Sequence, residues 1–376
     1  MFGQLLLPLL TALIAANPVP DQYRARVDSN LNRAGPNGSM LHSALQELAI
    51  QERVGAAFLI ANMPTVDLVE MDRATFAEHV RYAYRARREF AWTRDLPEDV
   101  FLHFVLAYRM SQEPVERWRK FFYDSLAPRV KDAGNAAAAA LEVNRWCGER
   151  IKFKATQRRD QGPFETLKSG YGRCEEMMIF YVAAARSVGI AARQVWTPYW
   201  PMMDNNHAWV EVWDGARWSY LGACEPAPAL NQAWFSNTVK KAALVYASCF
   251  GSGFESEESY RRESNAVIVN ATAQYVANPC TLEVLAQNAT SEPLTQTPVY
   301  VYVFNFGGLR PIARLVTAED GRVTITINQG EYFVSFAAGN SKYFGKVVLS
   351  KDGKHIYKLT ATDSPVTRQT DWLRYK

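Results

Sequence analysis

The chain has 376 residues, 48% of them hydrophobic and 21% charged. That suffices for a sizeable core, excludes disorder by composition, and allows two or three domains at roughly 100–200 residues each. The net charge of +4 is diffuse: Lys and Arg form no long runs, and the densest group (Arg85, Arg87, Arg88) reads as a solvated helix face. The electrostatic footprint of a nucleic-acid binder is missing.

The apolar start, Leu5 to Ala16, is too short for a membrane span of about 20 residues. It fits the apolar stretch of a signal peptide over 1–16, although no Lys or Arg precedes it. The expected location is therefore secreted or periplasmic, and no later segment is apolar enough to span a membrane. Residues 17–135 read as a helical N-terminal domain. Thr75 and Glu78 have capping-box spacing, followed by Phe76, Val80 and Tyr84 at helical intervals. Pro97 fits the first turn of a helix through Phe104 and Tyr108, and Pro114 that of a helix carrying Trp118 and Phe122.

A mixed core is expected over 136–250. The alanine run from Ala136 starts a helix, and a second helix runs from about Cys174 to Val188, ending at Gly189. Strands follow at Ala192–Pro198, His207–Trp213 and Arg217–Leu221. The polar stretch 251–265 reads as a linker. Residues 266–360 are all-β by pattern, a small sandwich punctuated by Asp320-Gly321, Gln329-Gly330 and Asp352-Gly353, with a tail at 361–376. The fold class is α+β. Asn37, Asn270 and Asn288 sit in glycosylation sequons, which matter only in a eukaryotic host.

The chemistry concentrates in two segments. In Gly170-Tyr171-Gly172-Arg173-Cys174, glycines permit a tight turn and the cysteine falls at the start of a helix, where amides and dipole favour a thiolate. In Asn205-Asn206-His207-Ala208-Trp209, a histidine stands at the mouth of a strand. A lone histidine is usually a surface or satisfied core residue. Paired with an upstream nucleophilic cysteine it becomes a candidate base. Asp214-Gly215 signals a two-residue hairpin that pairs Trp213 with Ala216 and sets Gly222 opposite His207. Glycine cannot orient an imidazole, so the orienting group is open among Glu225, Asp204 and Asn206, or is absent. Trp196, Tyr199, Trp200 and Trp209 are candidates for the wall of a peptide or glycan groove. Of the five cysteines, Cys174 should be free; Cys224 and Cys249 are the first candidates for a bridge. No metal-ligand spacing, P-loop or nucleotide fingerprint occurs, so no metal and no cofactor are expected.

Taken together, Gly170–Glu176, Gly189–Val195, Asn206–Trp213 and Trp218–Glu225 resemble the transglutaminase-like superfamily, which includes peptide:N-glycanases, bacterial cysteine proteases and non-catalytic relatives. The likeness covers about 155–250. It is strongest to bacterial-type multidomain secreted members, in which a helical region precedes the core and a β-sandwich follows it. The resemblance implies a papain-like core, with Cys174 as nucleophile and His207 as base. Gly222 departs from it, standing where the superfamily usually has its catalytic Asp. The implied function is a Cys-His enzyme acting on amide bonds of a protein, peptide or glycopeptide, by hydrolysis or acyl transfer through a thioester. The rival readings are an inactive binding module and an adhesive protein.

Overall fold

The structure, a computed structural model, describes residues 19–156, 159–350 and 353–361. The apolar start at 1–16 and the tail from 362 onward lie outside the described residues. The fold is α+β, with several antiparallel sheets.

Helices come first: α1 (Asp21–Arg33), α2 (Asn37–Gln46), α3 (Arg53–Asn62), α4 (Thr65–Glu70), α5 (Arg73–Glu89), α6 (Ala91–Arg94) and α7 (Glu98–Phe101), which winds on as a π-helix over Leu102–Leu106. Then come α8 (Arg119–Val130), α9 (Ala136–Arg150), β1 (Lys152–Phe153), α10 (Pro163–Ser169), β2 (Tyr171–Gly172) and α11 (Cys174–Ser187). Next are β3 (Ala192–Thr197), β4 (His207–Trp213), β5 (Trp218–Leu221), α12 (Ser236–Val239), β6 (Tyr246–Phe250), β7 (Ser259–Arg262), β8 (Ala266–Asn270) and α13 (Thr272–Tyr275). The chain closes with β9 (Pro279–Gln287), β10 (Pro298–Asn305), β11 (Gly308–Val316), β12 (Arg322–Asn328), β13 (Gly330–Ala338), β14 (Ser341–Leu349) and β15 (Gly353–Thr360).

Local chemistry moves some boundaries. Asp72, not Thr75, caps α5: its carboxylate accepts from Thr75 N at 2.9 Å and from the Thr75 hydroxyl at 2.6 Å. Pro114 lies outside α8, which starts only at Arg119. Phe104 falls in the π-helical stretch and Tyr108 beyond it. There the buried Arg119 donates to the Val105, Leu106, Ala107 and Arg186 carbonyls, pinning that stretch to the end of α11.

The six-stranded antiparallel sheet, β5-β4-β3-β6-β8-β7, is the middle layer. Strand alternation sends Trp209 to one face and Val210 and Val212 to the other. The first face shares a continuous core with α1 to α5 and the π-helix; the second packs on α8, α9 and α11. The helical region expected as a domain of its own therefore keeps no core to itself, because its apolar faces close over the sheet. The linker expected at 251–265 is also corrected. It contains β7, which pairs with β8, and β8 pairs with β6 in the same sheet. An edge strand is half solvated, and its polar residues imitate a linker in composition.

The strands of the sheets β11-β10-β13-β14 and β12-β9-β15 begin at β9 rather than at residue 266, and the core the two sheets share also takes in Ala243, Leu244 and Tyr246. All five cysteines are unbridged. Cys224 belongs to the core under α11 and Cys249 to the core on the opposite face, where its sulfur lies 3.3 Å from His103 Nδ1. The sheet separates the expected bridge partners. Asn270 is buried and donates to Thr326 O at 2.7 Å, so of the sequon residues it is the least accessible to a glycan.

Candidate active site

The turn before Cys174 is built from its glycines. Gly170 closes α10 with φ of 72°, and β2 then pairs in parallel with β1. A Cβ on Gly172 would lie 3.0 Å from Glu176 Cβ, so glycine lets the chain pass close over α11. Glu176, fully buried, ties the first turn down: its carboxylate accepts from Arg173 N at 3.0 Å and Thr156 Oγ1 at 2.7 Å. Arg173 pairs with Asp160 and with Glu175. Cys174 is thus held as the first residue of α11, with the helix amides beneath it.

His207 begins β4, in register with Thr197. Its ring sits among aromatics: Trp234 and Phe235 at 4.9 Å between centroids, Trp209 at 5.8 Å and Trp200 at 6.5 Å. It is 8% exposed, and its Nε2 has no hydrogen-bond partner among the described residues. Cys174 and His207 line one cavity of about 740 Å³, and the Ala208 backbone N–H, next to His207, points at the Cys174 sulfur. The thiol itself donates to Glu175 Oε2 at 3.2 Å, not to His207. Burial pushes the thiol up to about 12, with the Glu175 charge adding to the rise and the Ala208 and Glu175 amides opposing it. Burial pushes His207 down to about 4, against the pull of Glu175. At neutral pH the resting pair is thiol and imidazole, both uncharged.

The three candidates for orienting His207 fare differently. Asp204 accepts from Phe306 N at 2.6 Å, and Asn206 donates to Glu175 Oε1 at 3.3 Å; neither is hydrogen-bonded to the imidazole. Glu225 lines the same cavity as His207. Its carboxylate accepts from Trp234 Nε1 at 3.1 and 3.3 Å, and that indole packs on the His207 ring. A Cβ on Gly222 would lie 2.2 Å from Glu225 Oε2. The carboxylate therefore fills the space into which a side chain at 222 would project. Asn144 of α9 holds this bend, donating to Gly222 O at 3.0 Å and Glu225 O at 2.9 Å. The hairpin before it is longer than expected. Trp213 pairs with Trp218, because the Asp214 carboxylate accepts from Ala216 N and Arg217 N and caps a wider turn. The ladder stops at Val210–Leu221, so Gly222 is not paired with His207.

Of the expected groove wall, Trp200 lines the cavity. Trp209 is fully buried behind His207, and Trp196 and Tyr199 pack against the core of the C-terminal sheets. The open wall is instead Phe153, Met203 and Trp234, none singled out from the sequence. Glu175 was also missed, though it adjoins Cys174. Trp234 gave no signal, lying in a connection without periodicity.

The family model described as "Transglutaminase-like superfamily" matches residues 124–223. The match takes in Cys174, His207 and Gly222 and stops short of Glu225. No curated protein matches the chain. Among solved structures it is similar to a DUF3823 family protein from Parabacteroides merdae (16% identity, 22% of this chain and 47% of that one, TM-score 0.19). It is also similar to a candidate cysteine protease from Cytophaga hutchinsonii (15% identity, 49% and 68%, TM-score 0.29). A third is the Bacillus anthracis TIE protein (14% identity, 31% and 24%, TM-score 0.19). The chain thus spans about half of the first of these and a quarter of the last.

Proposed function

We propose that this protein is a Cys-His enzyme that acts on amide bonds of proteins or peptides through a thioester. The observation that carries it is a helix-start cysteine sharing a cavity with a buried histidine whose Nε2 is unpartnered. An unpaired buried polar atom costs about 1–3 kcal/mol, a cost a functional site can justify.

In this mechanism the Cys174 sulfur attacks the amide carbonyl while its proton passes to His207. The thiol must first turn from Glu175, since both groups are neutral at rest. The new oxyanion is held by the Cys174 backbone amide at the helix start. As the C–N bond breaks, His207 returns the proton to the leaving amine. Water or a second amine then attacks the thioester, His207 takes its proton, and the sulfur leaves and is reprotonated. Glu225 acts at one remove, holding Trp234 against the imidazole and filling the place of the missing side chain at 222. Export, resting on the apolar start, is part of the proposal.

The test is mass spectrometry of the intact protein with an electrophilic peptide amide. A single adduct on Cys174, lost in Cys174→Ala and slowed in His207→Leu, is the expected result. An inert Cys174 across peptide, glutamine and glycopeptide amides would refute the enzyme and leave a recognition module.

A further inference from the structure

Cys224 stands in the bend between Gly222 and Glu225, and helix α9 lies along that bend. Asn144 of α9 donates to carbonyls on either side of the cysteine, Gly222 O at 3.0 Å and Glu225 O at 2.9 Å. One turn further on the same helix face, Gly148 backs onto Cys224 itself: a Cβ there would lie 2.9 Å from Cys224 O. Cys147 falls between these two contacts. Its thiol meets the Cys224 thiol, which burial and then this neighbour hold in the protonated form. Both cysteines belong to the core under α11, at 0% and 4% exposure, and the structure holds both as thiols.

The backbone at the contact is strained. Cys224 has φ of 57°, a left-handed conformation that a non-glycine residue rarely adopts. Such strain persists where the surroundings over-determine it. As a thiol, Cys224 makes one weak bond, from its sulfur to Met177 O at 3.4 Å. The other cysteines are placed elsewhere. Cys249 belongs to the core on the opposite face of the sheet and Cys280 to that of the C-terminal sheets, while the Cys174 thiol donates to Glu175.

We propose that Cys147 and Cys224 form a disulfide that ties α9 to the bend carrying Glu225. Each thiol gives up a proton, and the pair gives up two electrons. A small disulfide such as oxidised glutathione accepts them: a cysteine thiolate cleaves its S–S bond, and the second thiolate displaces the mixed disulfide, so that two small thiols leave. Protonated, buried thiols exchange slowly, so the bond forms while the chain is still opening locally and is then shielded from reduction. That makes it a structural bond, in a protein whose proposed export supplies an oxidising compartment. It does not require Cys174 to be a nucleophile.

The experiment incubates the full, reduced chain with oxidised glutathione at pH 8 in mild urea, which permits local opening. The chain is then unfolded, alkylated with N-ethylmaleimide, digested and mapped by mass spectrometry. Cys147 and Cys224 are expected in one pair of linked, unalkylated peptides. Alkylation of both, or a bond from either to Cys174, Cys249 or Cys280, would overturn the proposal. The oxidised chain should also melt roughly 5–10 °C above the same chain after reduction, because the bond closes a long loop. Equal melting temperatures would overturn the tie. Cys147→Ala should abolish both the linked peptides and the difference in melting; if that variant does not fold, the map of the unaltered chain still decides. Reaction of Cys174 with the electrophilic amide is read in a separate sample. An inert Cys174 beside a formed bridge removes the enzyme and keeps the bridge, and a reactive Cys174 without the bridge does the reverse.

Discussion

Strand β4 carries a buried polar group near each end of one face, and the two are treated in opposite ways. At Glu211 every charge is answered. Arg193, fully buried, donates to Glu211 Oε2 at 2.6 Å and to both oxygens of Glu257 at 2.5 and 3.0 Å, and Tyr275 donates to Glu211 Oε1 at 2.5 Å. At His207 the ring is boxed in by aromatics and its Nε2 is left unanswered. Both groups are buried and only one is satisfied; under the proposed mechanism Glu211 holds the sheet together and His207 is kept free to take a proton.

The largest contrast should appear on replacing each by an apolar residue. His207→Leu removes the base and should lower turnover by about 10²–10⁴-fold, with thermal stability unchanged or higher, because an unpaired buried polar atom is gone. Arg193→Met should do the reverse. It strands Glu211 and Glu257 without their cation, at about 3–5 kcal/mol by denaturant titration, while Cys174 keeps its reactivity in the folded fraction. If His207→Leu destabilises as much as Arg193→Met, the imidazole is a structural residue and the contrast is void.

The same asymmetry has a pH signature. Burial moves His207 down to about 4 from 6.5, so the imidazole is neutral and able to accept a proton above that value. The thiol, pushed up to about 12, contributes no thiolate limb near neutrality. The pH profile of kcat/KM should therefore stay flat across pH 5 to 9 and fall only as His207 protonates at lower pH. An acid limb centred near pH 6.5 would mean that the histidine is solvated in the working enzyme.

Much of this was legible beforehand, and the exceptions have physical reasons. Cys174 opens α11 and His207 opens β4, as glycine placement and strand alternation indicate. Those signals are local. The hairpin register was not readable, because it depends on the Asp214 side chain capping a wider turn. The groove wall was misassigned for the same kind of reason. Trp209 and Trp196 share strand periodicity with real cavity residues, and only packing against Tyr275 or Tyr246 decides that they face inward. Trp234 reaches the site by tertiary contact alone.

A smaller effect tests whether Glu225 replaces a carboxylate at 222. Gly222→Asp alone should be destabilising, since its Cβ would meet Glu225 Oε2 at 2.2 Å. Overpacking of this kind costs about 1–3 kcal/mol. Glu225→Ala clears the space, so the double variant should recover much of that loss. A cycle that is additive within about 0.5 kcal/mol would show that the two positions do not share one space.

The smallest expected effect concerns Glu175, the acid sequence reading passed over. Its carboxylate accepts a hydrogen bond from the Cys174 thiol, and its charge helps raise the thiol, second to burial. It also supports the protonated form of His207. Glu175→Gln keeps the size of the side chain and removes the charge, so both groups should shift downward together. For the thiol this means more thiolate at a given pH. Alkylation of Cys174 by iodoacetamide should speed up by roughly threefold to tenfold at pH 8, the gain tempered because a less basic thiolate is a weaker nucleophile. Burial remains in the variant, so the rate should still climb with pH well past that of an exposed cysteine. For the imidazole the same change moves the acid limb of turnover to lower pH. A variant in which alkylation slows would mean that Glu175, not His207, takes the thiol proton, and the base would have to be reassigned to the residue beside the nucleophile.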